Sequence, residues 1–293
     1  MTTAATPLTK KIDFAVIFRV SNANPNGDPL NGNRPRTNYQ NLGEITDVAL
    51  KRKIRDRLQE SGHAIFVQSD DRKDDDAPSL QKRAEKAGIL AKMKPDEMIT
   101  RACVKWFDVR AFGQLFAYKD DKKPKRTNTN EEAGEDGDNA GSVSVGIRGP
   151  VTIQSAYSVE PVDITSVQIT KSVSGEGDGS KRGSDTMGMK HRVDRGVYVF
   201  FGSMNPQLSQ RTGFSDADAG VVKTILPRIF ENDESSARPA GSMEVLKVLW
   251  WQHNSKAGQY SSAKVHRSLK VREDGSYHLD ELAGLKAEEI SGY

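Results

Sequence analysis

Thirteen consecutive residues, Asn24 to Arg36, hold three Pro, two Gly and four Asn. Pro fixes φ and removes a donor, Gly opens left-handed backbone, and Asn bonds its own main chain. No regular element runs through that composition, so the stretch reads as a loop of successive tight turns. Before it, Ile12 to Val20 is almost continuously apolar and suits a central strand. After it, Glu44 to Glu60 reads as a basic amphipathic helix, with Leu50, Ile54 and Leu58 as its buried stripe and Gly62 at its end. Thirteen residues is long for a strand-to-helix connection, and long ordered loops are commonly functional. A plain surface loop is the competing reading.

The totals set limits. With 293 residues, 35% of them hydrophobic, and a mean hydropathy of -0.64, the chain suits one large domain or a domain with sizeable insertions. Lys and Arg number 43 against 40 Asp and Glu, so only local clustering can argue for a polyanionic partner. Cys103 is the single cysteine, which excludes an intrachain disulfide and a cysteine zinc site and fits a reducing, cytoplasmic setting. No apolar run reaches membrane-spanning length, so no membrane partner is expected. Residues 1–11 read as a disordered leader.

Further along, Ala64 to Val67 reads as a second strand and 69–79 as an acidic solvated loop. Leu80 to Ala91 is a charged helix, and Met98 to Tyr118 carries Trp106, Phe107, Phe112, Leu115 and Phe116 at helical spacing, read as core. Residues 119–142 are polar, basic then acidic, and read as disordered or a mobile flap. Residues 164–173 and 186–201 read as strands of a projecting hairpin with a Gly-rich tip. Ser215 with Asp218 forms a capping-box pattern ahead of Val221, Val222, Ile225 and Leu226. Glu244 to Trp251 reads as a last strong strand, and 255–293 carries no clear pattern. Two strand–helix–strand units, about 12–67 and 196–252, therefore bracket an insertion. Paired units of this kind give an α+β, ferredoxin-like (RRM-like) fold.

Between Arg34 and Arg57 lie seven basic residues (Arg34, Arg36, Lys51, Arg52, Lys53, Arg55, Arg57) and three acidic ones (Glu44, Asp47, Asp56). A local surplus beside a Gly-rich loop and a helix start suits phosphates, and Asn side chains suit the edges of an unstacked strand. A solvated basic helix face is the competing reading. Enzymatic signals are poor: the five His show no metal-ligand spacing, and there is no G-x-S-x-G, P-loop or H-E-x-x-H pattern. Asp28 sits among turn residues, where Asp bonds its own backbone. No catalytic residue, metal or cofactor is expected.

Four motifs in order carry a resemblance: Asn24-Pro25-Asn26-Gly27-Asp28-Pro29, Asp108-Val109-Arg110-Ala111-Phe112-Gly113, Gly146-Ile147-Arg148-Gly149-Pro150 and Thr186-Met187-Gly188-Met189-Lys190-His191. From about residue 12 to 253 the chain resembles the backbone subunit of CRISPR type I Cascade complexes, the seventh Cas protein family, most closely in its subtype I-C form. The resemblance implies a palm (12–68 and 196–253), a helical fingers insertion with a mobile loop (69–142), strands and a β-hairpin thumb (143–195), and a C-terminal tail (254–293). It implies a non-catalytic protein that polymerises along crRNA, with RNA contacts at Asn24, Asn26, Gly27, Arg34, Arg36, Thr46, Lys51, Arg55, Arg148, Met187, Met189, Lys190 and His191. Implied partners are crRNA, target DNA through the guide RNA, further copies of the chain, other Cascade subunits and a separately recruited nuclease-helicase. A metal-dependent ribonuclease using Asp28 and a free single-stranded RNA-binding regulator stand as alternatives.

Overall fold

Strand β1 (Ile12–Ala23) is buried along almost all of its length, with Phe14, Ala15, Val16, Ile17 and Phe18 fully enclosed. The computed structural model describes residues 6–90, 92–118, 143–171 and 187–293. After β1 the chain forms a two-residue ladder between β2 (Gly27–Asp28) and β3 (Arg34–Pro35), then β4 (Leu42–Ile45) and helix α1 (Asp47–Glu60). The helix starts later than the expected Glu44. Ile45 is fully buried in a strand, and the Thr46 hydroxyl caps the first turn by accepting from the Ala49 N–H. Leu50, Ile54 and Leu58 are fully buried as the periodicity predicts, and Gly62 follows the helix at φ 84°.

The strand expected at 64–67 does not form. The Ala64 carbonyl accepts from the Phe107 N–H at 2.9 Å, and the groups beyond it bond side chains. Asp108, 1% exposed, accepts from the N–H groups of Phe66 (2.7 Å) and Val67 (3.0 Å) and from Arg55 Nε (2.9 Å). The Phe66 carbonyl takes Arg83 Nη1 at 2.7 Å. Helices α2 (Leu80–Lys86), α3 (Pro95–Lys105) and α4 (Phe107–Phe112) follow. The helix expected to reach Tyr118 stops at Gly113, whose φ of 83° only glycine adopts readily. Beyond it, β5 (Gly113–Tyr118) pairs antiparallel with β6 (Val143–Arg148). Phe66, Ala84, Met98, Trp106, Val109, Phe116 and Ile147 make this lobe's own core, so Trp106 and Phe116 are core residues as expected, whereas Leu115, expected in the core, is 61% exposed. The expectations for 119–142 lie outside the described residues.

Next come β7 (Val151–Ile153), β8 (Ala156–Pro161) and β9 (Ile164–Thr170). The 18-residue β10 (Met187–Met204) pairs with β9 at its start, from Met187↔Thr170 to Val193↔Ile164, and with β1 thereafter. The hairpin stem forms where strands were expected at 164–173 and 186–201; its tip, with Lys181 and Arg182, lies outside the described residues. Helices α5 (Pro206–Thr212) and α6 (Asp216–Ile225) lead to β11 (Met243–Gln252). Ser215 and Asp218 form the expected capping box.

The patternless C-terminal segment is folded. It forms α7 (Ser262–Arg267), the β12 (Leu269–Val271)–β13 (Tyr277–Leu279) hairpin, and β14 (Glu288–Ser291), which pairs with β11. The result is a mixed α/β architecture on one large antiparallel sheet, ordered β14-β11-β1-β10-β8-β4 with β7 and β9 also on β10. One face, through Phe14, Val16, Phe18, Tyr198 and Trp250, packs on Leu50, Ile54 and Leu58 of α1 and Ala219, Val222 and Ile225 of α6. The other, through Ala15, Ile17, Val197, Leu249 and Trp251, packs on Val265, Leu269 and Leu285 of the C-terminal segment. Residues 6–11 are not loose either: Leu8 is buried and its N–H bonds the Phe214 carbonyl at 2.8 Å.

Asp13, fully buried on β1, ties the C-terminal segment down. Its Oδ2 lies 2.9 Å from His253 Nε2 and 3.2 Å from Lys11 Nζ, while His253 Nδ1 accepts from the Gln259 N–H at 2.9 Å. Burial pushes the Asp13 carboxyl up, but hydrogen bonds from His253, His266 and Ser262 and the charge of Lys11 outweigh it and hold it below the ordinary range.

Asp108 yields a stability prediction. Asp108→Ala leaves two backbone donors and the largely buried Arg55 guanidinium unsatisfied, so it should lower the unfolding free energy by about 3–5 kcal/mol in urea denaturation. Asp108→Asn, which keeps one acceptor, should lose less. Equal losses for the two would show that the acceptor role is not what matters.

Candidate nucleic-acid interface

The Asn24–Arg36 loop is held by its own asparagines. Asn24, 8% exposed, donates through Nδ2 to the Asn33 carbonyl. Asn26 Oδ1 accepts from both the N–H and the hydroxyl of Thr46 at 3.0 Å, tying the loop to the cap of α1. Gly27 sits where a Cβ would lie 3.0 Å from the Asn33 carbonyl oxygen, so the turn closes tightly only without a side chain. Asn24, Asn26, Gly27 and Thr46 thus shape the loop. Asp28 caps the 3-10 turn Pro29–Asn31, with Oδ1 accepting from the Leu30 N–H at 3.2 Å, and pairs with Arg36 at 3.2 Å. That is the turn-forming role its neighbours predict.

The basic run is less free than its composition suggests. Arg36 pairs with Asp28, Lys51 with Asp47 (2.9 Å), Arg52 with Asp56 (2.8 Å), Lys53 with Asp233, Arg55 with Asp108 (2.9 Å) and Arg57 with Glu60. Lys53 and Arg55 are almost enclosed, and burial lowers the pKa of both against the pull of Asp233 and Asp108. Arg55 also lies over the Phe112 ring, 5.2 Å from its centroid. The expected Lys51–Arg55 row is therefore two separate ion pairs. Lys51 keeps a quarter of its side chain in solvent, and its i,i+4 pair with Asp47 is of the weak, exchangeable kind.

Arg34 is the member of the run without an acidic partner among the described residues. Its Nη1 donates to Ser166 Oγ at 2.9 Å, across from the loop to β9. The same hydroxyl lies 2.8 Å from His191 Nδ1 on β10. Loop and hairpin stem therefore converge on one serine. Sequence reasoning missed Ser166, because only the strand register sets it opposite His191.

Register also sorts the remaining candidates. Pairing of Met187 with Thr170, Met189 with Gln168 and His191 with Ser166 puts these side chains on one face of the stem. Met187 and Met189 are 63% and 56% exposed there, continuing outward from the Arg34–Ser166–His191 junction. Lys190 falls on the opposite face with Arg192, Val167 and Ile169. Arg148 is exposed on the separate β5–β6 ribbon, outside this junction. Among the described residues no group of three His, Cys, Asp or Glu could hold a metal ion, and no helix is long and apolar enough to cross a membrane.

The family model described as CRISPR-associated protein Cas7 matches residues 10–288. A CRISPR-associated protein Cas7 from Haloferax volcanii is 26% identical over 283 residues, covering 91% of this chain and 77% of that protein. Among solved structures, a chain of a CRISPR RNA-guided surveillance complex, pre-nicking, aligns with a TM-score of 0.47 at 13% identity over 93% of this chain and 84% of its own. A chain of a second CRISPR RNA-guided surveillance complex gives 0.44 at 14% identity over 93% and 78%. The family match spans both halves of the sheet, the loop, the hairpin stem and nearly all of the C-terminal segment, and on it the chain belongs to the Cas7 family of CRISPR-associated proteins.

Proposed function

We propose that this protein is the crRNA-binding backbone subunit of a CRISPR Cascade effector complex, of subtype I-C, polymerising along the spacer RNA and presenting it for pairing with target DNA. The observation that carries the reading is the match to the Cas7 family over residues 10–288. Its partners are crRNA, target DNA through the guide, further copies of itself, other Cascade subunits and a separately recruited nuclease-helicase, all met in the cytoplasm. The chain itself is not an enzyme. The strand order β11-β1-β10-β8, with α1 and α6 on one face, supports a ferredoxin-like palm in which β7 and β8 stand where 64–67 was expected. Residues 69–142 are the fingers, and β9 with the start of β10 is the thumb stem.

RNA lies along the junction of loop and thumb. Arg34 and the His191 ring meet phosphate or ribose, while Arg36 and Lys51 turn from Asp28 and Asp47 toward the backbone as it arrives. Asn24, Asn26, Gly27 and Thr46 fix the loop that presents them, and Arg55, bound to Asp108, holds α1 behind it. Met187 and Met189 wedge against a base without demanding its identity, because unbranched thioether side chains adapt to any face. Lys190, on the other face of the stem, and Arg148, on the β5–β6 ribbon, would meet RNA only beyond this junction. Contacts of this kind read no sequence; base pairing does.

The test is the RNA that purifies with the protein from cells carrying a CRISPR array. Arg34→Ala with His191→Ala should reduce its amount about tenfold or more on every spacer alike, since removing phosphate contacts weakens binding without regard to sequence. Loss confined to some spacers would count against backbone contact. Asp28→Asn, which keeps the turn-capping oxygen, should retain the RNA, and neither form should cut RNA with Mg²⁺ or Mn²⁺. Metal-dependent cleavage by the wild type that disappears in Asp28→Asn would replace this reading with a ribonuclease. Met187→Ala with Met189→Ala should erase a regular, once-per-subunit pattern of reactivity toward a single-strand-selective reagent. Persistence of that interval would exclude the methionines as the wedge.

A further inference from the structure

The C-terminal segment carries a second concentration of positive charge. From Ser255 to Arg272 the chain holds Lys256, Lys264, Arg267, Lys270 and Arg272, with no Asp or Glu among them. For a protein whose acidic and basic residues nearly balance, eighteen residues without an acid are a departure. All five cations are exposed. Lys270 pairs with Asp280 at 2.9 Å, but Lys256, Lys264 and Arg267 have no acidic partner among the described residues. This is the reverse of α1, where ion pairs account for every basic residue of the helix.

The segment that presents them is held firmly. Lys11 Nζ donates to the Tyr260 carbonyl at 2.8 Å, the Tyr260 hydroxyl donates to the Ala283 carbonyl at 2.9 Å, and Ser261 caps α7. The Lys264 ammonium rests over the Tyr260 ring, 4.4 Å from its centroid. Lys264 and Arg267, three apart on α7, lie on one helix face. The Lys11 N–H bonds the Ser255 carbonyl and the His253 N–H bonds the Lys11 carbonyl, which brings the exposed Lys10 alongside the stretch carrying Lys256. Helix α7 stands across the sheet from α1. Val265 of α7 packs with Ala15, Ile17 and Trp251, whereas α1 packs with Phe14, Val16 and Phe18.

We propose that Lys256, Lys264 and Arg267 form a second phosphate track, which holds the backbone of a single nucleic-acid strand separate from the one seated at Arg34 and His191. Unpaired cations on an anchored surface release counterions on meeting phosphates without first breaking internal ion pairs. The donors are side-chain ammonium and guanidinium groups, which meet phosphates without regard to sequence. The proposal goes beyond the guide-binding reading and stands without it, because the two surfaces share no residue.

The experiment titrates the full-length protein, as purified with its RNA, against a fluorescently labelled oligothymidylate over a range of salt concentrations. The triple variant Lys256→Ala, Lys264→Ala and Arg267→Ala should flatten the log–log salt dependence by about 2 and weaken binding about tenfold or more, because each single-strand phosphate contact contributes roughly 0.7 to the slope. A charge-matched control, Lys86→Ala, Lys92→Ala and Lys94→Ala, removes exposed cations elsewhere and should leave both values unchanged. The amount and length of the co-purified RNA should also stay the same in the triple variant. An unaltered slope in the triple variant, or an equal loss in the control, would overturn the track. Loss of the co-purified RNA in the triple variant would overturn its separateness from the loop. Should the wild type carry no RNA, the guide-binding reading fails while the oligothymidylate comparison still decides the track.

Discussion

The architecture depends on one strand being enclosed from both sides. Phe14, Val16 and Phe18 alternate with Ala15 and Ile17 along β1, and all five are fully buried. A strand of this kind cannot leave one sheet face to water. Helices α1 and α6 cover the first face; the segment after β11 must cover the second, or Ile17, Leu249 and Trp251 would form an exposed apolar patch. The buried Asp13–His253 contact sits at the edge of this arrangement and joins the start of β1 to the end of β11. Sheet, helices and C-terminal segment are therefore one cooperative unit.

Ion pairing then decides where the surface can meet an anion. Around α1 the basic residues hold the helix to its surroundings: Arg55 to Asp108 under the 63–67 segment, Lys53 to Asp233 in the loop before β11, and Arg52 through Nη1 to the Val67 carbonyl. Charges engaged in this way stabilise an interface within the chain and offer little to an outside ligand. Donors without an acidic partner among the described residues include Arg34 and His191 where loop meets stem, and Lys264 and Arg267 on α7.

Local signals were legible in the sequence and long-range ones were not. The stripe of Leu50, Ile54 and Leu58, the Ser215–Asp218 capping box and the hairpin of two strands around a Gly-rich tip each depend on residues within a few positions of one another. Ala64 to Val67 has strand composition, but its N–H groups are claimed by Asp108, forty residues on, which no local pattern reveals. Phe116 fits a helical spacing, yet Gly113 turns the chain and pairs it with β6. The C-terminal segment has short elements and few apolar residues, so its periodicity is weak; what orders it is the apolar face already waiting on the sheet. At the site, Arg34 and His191 were legible as residues, but Ser166, which joins them, was not.

One strand joins the core to the proposed RNA path. β10 is 18 residues long, and at roughly 3.3 Å per residue it extends about 60 Å without a break. Its last twelve residues lie in the sheet between β1 and its neighbours, and its first seven form the hairpin stem; Val193, fully buried, belongs to both. In mechanical terms the stem is a cantilever clamped in the central sheet at the buried Val193. A load applied near Met187 is carried as bending of a hydrogen-bonded beam rather than absorbed by a flexible joint. The span between neighbouring subunits on a shared strand would then be set by the length of a strand, which solvent and temperature barely alter.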